Sequence, residues 1–272
     1  MQAKCQVDMT YGDISKQLFM FTIPILLSQI LQQFYNIADT AIIGRYIGTD
    51  ALAAIGSTGL LISVIVNFFI GLSTGISAVI ANQFGANEYD KLKKSISTSL
   101  AVSVLLGIVF TIGSLIFMKP IINILQTPKG VYSLAIDYLK ICFLGITFQL
   151  LYNIGTAILR ALGNTKDPLY FLIFSCILNL ILDILFIVYF GWGVKGAAIA
   201  TLISQILATL LVMYKIMSLD DNCKLSLKQI KIYKGYTKDI FLVGLPAGLQ
   251  AIFMSISSLI IQSSINSFGA EA

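Results

Sequence analysis

Two acidic side chains lie where a polypeptide rarely keeps one, because Asp39 and Asp183 each interrupt a long apolar run. A carboxylate in the middle of a lipid-spanning helix costs about 3 kcal/mol on insertion scales, so it needs a partner, a cation or a proton. Asn179 precedes Asp183 by four residues. On a helix the two therefore share a face and present an amide oxygen and a carboxylate to one point. Asp183 stands about eight residues before the short 191–195 turn and Thr201 about six after it, so both lie roughly 9–12 Å below the same surface. Asp39 and Tyr138 occur at similar depth, about five and four residues from the matching ends of their own runs. Four runs thus bring oxygen ligands to one level, the donor set of a hard cation such as Na⁺. Two close carboxylates repel in a low-dielectric site, so the alternative occupant is a proton that Na⁺ displaces.

The run that carries Asp39 has more polar groups. Gln29, Gln32, Gln33, Asn36, Asp39 and Thr40 recur at i, i+3, i+4, i+7, i+10 and i+11 and read as a polar stripe on one helix. Amides of this kind glue neighbouring helices at about 0.6 kcal/mol per contact. Six groups ending in a carboxylate fit the wall of a wet cavity better. Gly71 and Gly75 form a G-x-x-x-G helix-packing signal, and Pro24 removes a backbone hydrogen bond and invites a kink. There is no His, and Cys5, Cys142, Cys176 and Cys223 lack metal-ligand spacing. A zinc site, a disulfide framework and an enzyme of the nucleophile-base kind are disfavoured, and no organic cofactor is expected.

The elements that must position these residues are membrane spans. Of the 272 residues 57% are hydrophobic and 11% charged, against about 25% charged in soluble domains. Apolar runs of about 20 residues or more, enough to cross roughly 30 Å of hydrocarbon, occur at 18–44, 53–83, 96–118, 134–158, 168–190 and 196–217, and a seventh opens near 240. The first run is too long and too polar for a signal-peptide core. Reading the intervals alternately, one side collects Lys4, Lys16, Lys91, Lys93, Lys94, Arg160, Lys166, Lys215, Lys224, Lys228, Lys231, Lys234 and Lys238. The other has Arg45, Lys119, Lys129, Lys140 and Lys195. The positive-inside rule places the N-terminus and the 218–239 loop in the cytoplasm. The net charge of +5 is then a matter of topology, and the basic loop faces anionic lipid rather than nucleic acid.

The chain also repeats itself. Lys16-Gln-Leu-Phe-Met-Phe-Thr-Ile-Pro24 returns as Lys238-Asp-Ile-Phe-Leu-Val-Gly-Leu-Pro246, and Ile47-Gly-Thr-Asp-Ala51 returns as Phe268-Gly-Ala-Glu-Ala272. Such echoes mark transporters built from two repeated bundles. The expected architecture is an all-α polytopic membrane protein, with a six-helix bundle over 1–217, a cytoplasmic loop over 218–239 and the first helix of a second bundle over 240–272. On this reading the chain is incomplete, and transport requires the missing C-terminal bundle.

Asn36-Ile-Ala-Asp39-Thr, Gln83-Phe-Gly-Ala86, Leu159-Arg-Ala-Leu-Gly163-Asn-Thr165-Lys-Asp-Pro168, Asn179-x-x-x-Asp183 and Gly244-Leu-Pro246-Ala-Gly-Leu-Gln250 occur in this order. Together they resemble the multidrug and toxic compound extrusion family across the whole chain. The resemblance implies two facing six-helix bundles, alternating access, and export of amphipathic or cationic compounds across the cytoplasmic membrane against inward Na⁺ or H⁺. It gives Asp39 a coupling role, assigns Asn179, Asp183 and Thr201 to a cation site that Na⁺ would fit, and places Tyr138 beside that site. A lipid-linked oligosaccharide flippase of the same superfamily would need cationic residues in mid-membrane, and the readable spans show none. A non-transporting truncated membrane module is the other alternative.

Overall fold

The computed structural model describes residues 13–124, 130–219, 223 and 230–267. Seven helices follow one another: α1 (Ile14–Tyr46), α2 (Thr49–Gly85), α3 (Tyr89–Ile124), α4 (Tyr132–Ala161), α5 (Lys166–Asp183), α6 (Gly193–Met217) and α7 (Lys234–Ser267). A π-helical segment, Ile184–Tyr189, continues α5 without a break. No strand occurs among the described residues. Each helix holds a stretch long and apolar enough to cross a membrane, and the chain is an all-α multi-pass membrane protein. The helices overrun the expected spans by several residues; α2 extends back to Thr49 and α7 begins at Lys234. Lys4, Lys129, Lys224, Lys228 and the Phe268–Ala272 echo lie outside the described residues.

Large apolar side chains face outward along the bundle, among them Phe19, Phe34, Ile116, Phe174, Ile181 and Leu242. A soluble protein would bury these; a lipid-facing one need not. Exposed aromatics mark both ends, with Tyr46, Tyr189 and Trp192 at one and Tyr170 and Tyr214 at the other. From Trp192 to Tyr214 along α6 is roughly 33 Å, close to the thickness of the hydrocarbon layer.

Helices α2, α3, α4 and α6 form the core, α7 lies along α2, α5 packs on α6, and α1 leans on α5. On α2, Phe69, Leu72, Ile76 and Ile80 recur with helical spacing and are buried; Leu92 and Ile96 of α3, Leu150 and Ile154 of α4, and Val212 and Ile216 of α6 join them. Lipid supplies no hydrophobic drive between helices, so close approach of backbones holds them together. The Gly71-x-x-x-Gly75 signal shows this directly, because it meets Gly244-x-x-x-Gly248 of α7. A methyl group on Gly71 would lie 2.4 Å from the carbonyl oxygen of Ala247. Asn67 Nδ2 donates to Ser255 Oγ across the same interface at 2.9 Å. The segment before α7 is tied to α3, where the Lys231 N–H donates to Ser97 Oγ at 2.8 Å and the Tyr233 N–H to Thr98 Oγ1 at 3.3 Å.

The Leu159–Pro168 motif makes the turn between α4 and α5. Gly163 takes the left-handed φ of +84° that ends α4, and the Asn164 N–H donates back to the Leu159 carbonyl at 2.9 Å. Asn164 then accepts from the Asp167 N–H at 3.1 Å, and its Nδ2 donates to Asp167 Oδ2 at 2.6 Å. Lys215 Nζ, near the end of α6, lies 2.8 Å from the same Asp167 oxygen. The turn is thereby fastened to α6.

Candidate cation site

Helix α1 reaches the site with one face only. Ser28, Tyr35, Asp39 and Ile43 lie along it at helical spacing, and each is buried or half-buried. Gln29, Gln32, Gln33, Asn36 and Thr40 are exposed. Gln32 Nε2 lies 3.5 Å from Asn36 Oδ1 there, and Thr40 Oγ1 donates to the Asn36 carbonyl at 2.8 Å. At about 100° per residue the six polar residues span about 120° of the helix, with Asp39 at one edge. Asp39 alone of the six is half-buried. Helix α1 runs unbroken through Pro24, whose carbonyl accepts from Ser28 Oγ at 2.7 Å.

Helix α5 supplies Asn179 and Asp183, of which Asp183 is fully buried and Asn179 is 1% exposed. The carboxyls of Asp39 and Asp183 come within hydrogen-bonding reach of each other. With its amide nitrogen turned to the carboxylate, Asn179 donates to Asp183 Oδ2 at 2.7 Å and its oxygen accepts from the Thr201 backbone N–H at 3.1 Å. In the opposite orientation the nitrogen meets Thr201 Oγ1 at 3.3 Å instead. Asp39, Asn179, Asp183 and Thr201, spread over three helices, are thus brought together. One oxygen of each carboxylate, Asp39 Oδ1 and Asp183 Oδ1, is buried without a donor. An ionised oxygen in that position carries a large desolvation cost until a cation or a proton reaches it.

Tyr138 of α4 lies beside Asp39, and its hydroxyl is hydrogen-bonded to Cys142 one turn on. Sequence reasoning missed Tyr35, which stands one turn before Asp39 and hydrogen-bonds the Thr201 side chain. The i, i+4 spacing of Tyr35 and Asp39 was its only signal, and tyrosine is too common in apolar spans for that to stand out.

The π-helical segment begins at the residue after Asp183 and ends before the turn into α6. There Phe186 stacks on Trp192, ring centroids 5.0 Å apart. Gly196 of α6 approaches Phe186 so closely that an added methyl would lie 3.1 Å from its Cβ. This contact holds α6, and with it Thr201, against α5. π-helical turns within spanning helices concentrate at functional sites.

A family model described as MatE matches residues 24–185, a stretch that contains Asp39, Tyr138, Asn179 and Asp183. The chain belongs to the MatE family. Its relatives include the probable multidrug resistance protein YoeA of Bacillus subtilis, 31% identical over 265 residues, which cover 94% of this chain and 57% of YoeA. The multidrug export protein MepA of Staphylococcus aureus is 28% identical over 256 residues, or 94% of this chain and 57% of MepA. Among solved structures, the outward-facing conformation of a multidrug resistance MATE family transporter superposes with a TM-score of 0.86 at 30% identity. That superposition covers 93% of this chain and 56% of the transporter. This MatE chain therefore spans less than two thirds of the relatives it matches.

Proposed function

We propose that this bundle is the cation-coupling half of an exporter that moves amphipathic or cationic drugs across the cytoplasmic membrane against an inward flow of Na⁺ or H⁺. One observation carries the reading: Asp39 and Asp183 meet inside the membrane, and each keeps one oxygen buried without a donor. Asn179, Thr201 and Tyr35 supply neutral oxygens around them, and Tyr138 closes the side toward α4. Cation entry lets both carboxylates ionise together; a proton on one of them relieves the same repulsion. The exposed polar side chains of α1, from Gln29 to Thr40, then face the substrate path that a second bundle would close. The lysine distribution supports a cytoplasmic N-terminus. Cysteines replacing Lys166 and Lys195, at opposite ends of the described bundle, are expected to label from opposite sides, Lys195 from outside.

The single tryptophan makes the site measurable, since Trp192 stacks on the segment that begins one residue after Asp183. Titrating the purified chain with NaCl at constant ionic strength is expected to change Trp192 emission saturably, and Asp183→Asn to abolish the change. A response to pH but not to Na⁺ assigns the proton as coupling ion. No response to either, in a protein that is folded, overturns the reading. The 272-residue chain alone is expected to give no efflux in liposomes. In a protein with both bundles, gradient-driven export that survives Asp39→Asn together with Asp183→Asn counts equally against it.

A further inference from the structure

Arg160 belongs to the cytoplasmic-side cations by sequence, yet the structure does not leave it in a loop. It stands in the last turn of α4, half-buried, with its Nε fully enclosed and without a hydrogen-bond partner. The acceptors of the α4/α5 turn itself are already engaged. Asp167, the acid nearest along the chain, is held by Lys215 and Asn164. The carbonyls of the final turn, which often compensate a cation at a helix C-terminus, accept from elsewhere: Ile158 from the Leu162 N–H, Leu159 from Asn164 and Arg160 from Gly163. Among the described residues Arg160 takes part in none of the ion pairs.

A second donor on the same side of α4 is also idle. Asn153 stands seven residues earlier, hence on the same face and about 10 Å further into the membrane, and its Nδ2 is buried with nothing to donate to. A seam runs beside α4. Helices α4 and α5, although consecutive, scarcely touch, because α5 packs on α6 and α1 instead. Tyr152 of α4 lies within electrostatic reach of both Arg160 and Cys176 of α5. A half-buried guanidinium whose enclosed Nε lacks an acceptor, and a buried amide nitrogen in the same state on the same helix face, call for an oxyanion. Guanidinium suits a phosphate in particular, whose oxygens match its planar fork.

We propose that the inner end of the α4/α5 seam binds a phosphate-class oxyanion at Arg160. Two sources share this chemistry, a lipid headgroup with its chain lying in the seam toward Asn153 and a free phosphate. The site lies at the opposite end of the span from Asp39 and Asp183 and does not depend on their role.

The purified 272-residue chain in detergent is examined by native mass spectrometry with phosphatidylglycerol and phosphatidylcholine, and by thermal unfolding with and without inorganic phosphate. Wild type is expected to retain phosphatidylglycerol over phosphatidylcholine, Arg160→Gln to bind it about tenfold more weakly, and Lys166→Gln to bind as wild type. Lys166 is the control because it is exposed at the same end of the bundle and removes the same charge. Stabilisation by inorganic phosphate that Arg160→Gln loses, without a lipid preference, identifies the free anion as the ligand. Binding by Arg160→Gln that equals wild type in both arms overturns the site, and so does equal loss in Arg160→Gln and Lys166→Gln, which would mean diffuse attraction. Should Arg160→Gln fail to fold, Arg160→Lys and Asn153→Leu carry the comparison, and undiminished binding by both overturns the proposal.

Discussion

Gly75 of α2 and Gly244 of α7 touch backbone to backbone, so that a methyl group on Gly75 would lie 2.4 Å from the Gly244 Cα. The obstacle is main chain rather than a flexible side chain, and two helices would have to part to relieve it. Gly75→Leu is expected to destabilise the chain by about 1–3 kcal/mol and to abolish disulfide trapping between cysteines placed at Asn67 and Ser255. Gly113, where an added methyl meets nothing within 4 Å, is the control. Gly113→Ala should be neutral or stabilising by up to about 1 kcal/mol. Equal thermal stability of Gly75→Leu and Gly113→Ala would show that α7 does not rest on α2 in this way.

On the proposed function Na⁺ and H⁺ are expected to compete for the Asp39–Asp183 pair, and the sign follows from the site. Na⁺ requires ionised carboxylates, so lowering the pH returns protons to them and weakens Na⁺ binding. Where one proton is displaced per Na⁺, the apparent affinity changes by up to about tenfold per pH unit. Trp192 titrations across a pH series test this; Na⁺ affinity that rises as pH falls contradicts the site.

Tyr35→Phe removes a hydroxyl that hydrogen-bonds Thr201 and leaves the ring in place. Loss of one neutral hydrogen bond is worth about 1 kcal/mol, and Na⁺ affinity is expected to fall roughly fivefold while the fold survives. An unchanged affinity would limit Tyr35 to packing.

The Lys215–Asp167 pair fastens the α4/α5 turn to α6, its side chains 28% and 25% exposed. Lys215→Met leaves Asp167 with Asn164 as its partner and should cost about 1–2 kcal/mol, with much of the loss absent when Asp167→Asn is already present. A double-mutant cycle with no coupling would reduce the pair to a surface contact.

Much of this was legible in the sequence, for identifiable reasons. Spans show because lipid requires about 20 apolar residues in succession, and Asp39, Asn179, Asp183 and Thr201 show because polar groups at mid-span are rare. Counting depth from the turns was enough to place them on one level. Facing was harder. Gln29, Gln32, Gln33, Asn36 and Asp39 fit one stripe about 120° wide, but the spacing alone does not say that only Asp39 among them is half-buried. Arg160 was counted with the loops because apolar character ends near Ile158, although helical hydrogen bonding continues to Ala161. Gly244 and Gly248 could be seen, but nothing in the sequence pairs them with Gly71 and Gly75. The winding of 184–189 was invisible, since Ile-Leu-Phe-Ile-Val-Tyr is equally apolar as α- or π-helix.

That winding has an evolutionary corollary. A π turn is an α-helix with one residue inserted, and deleting one residue lets the turn rewind as α with its flanks in phase. Between Asp183 and Trp192 the span can therefore change length by one residue without turning either away from its neighbours. Elsewhere in α5 the same deletion would rotate the residues before it by about 100° relative to those after it, taking Asn179 out of line with Asp183 if it fell between them. Among related sequences, single-residue gaps within this span should concentrate at 184–189, and the spacing from Asn179 to Asp183 should stay fixed.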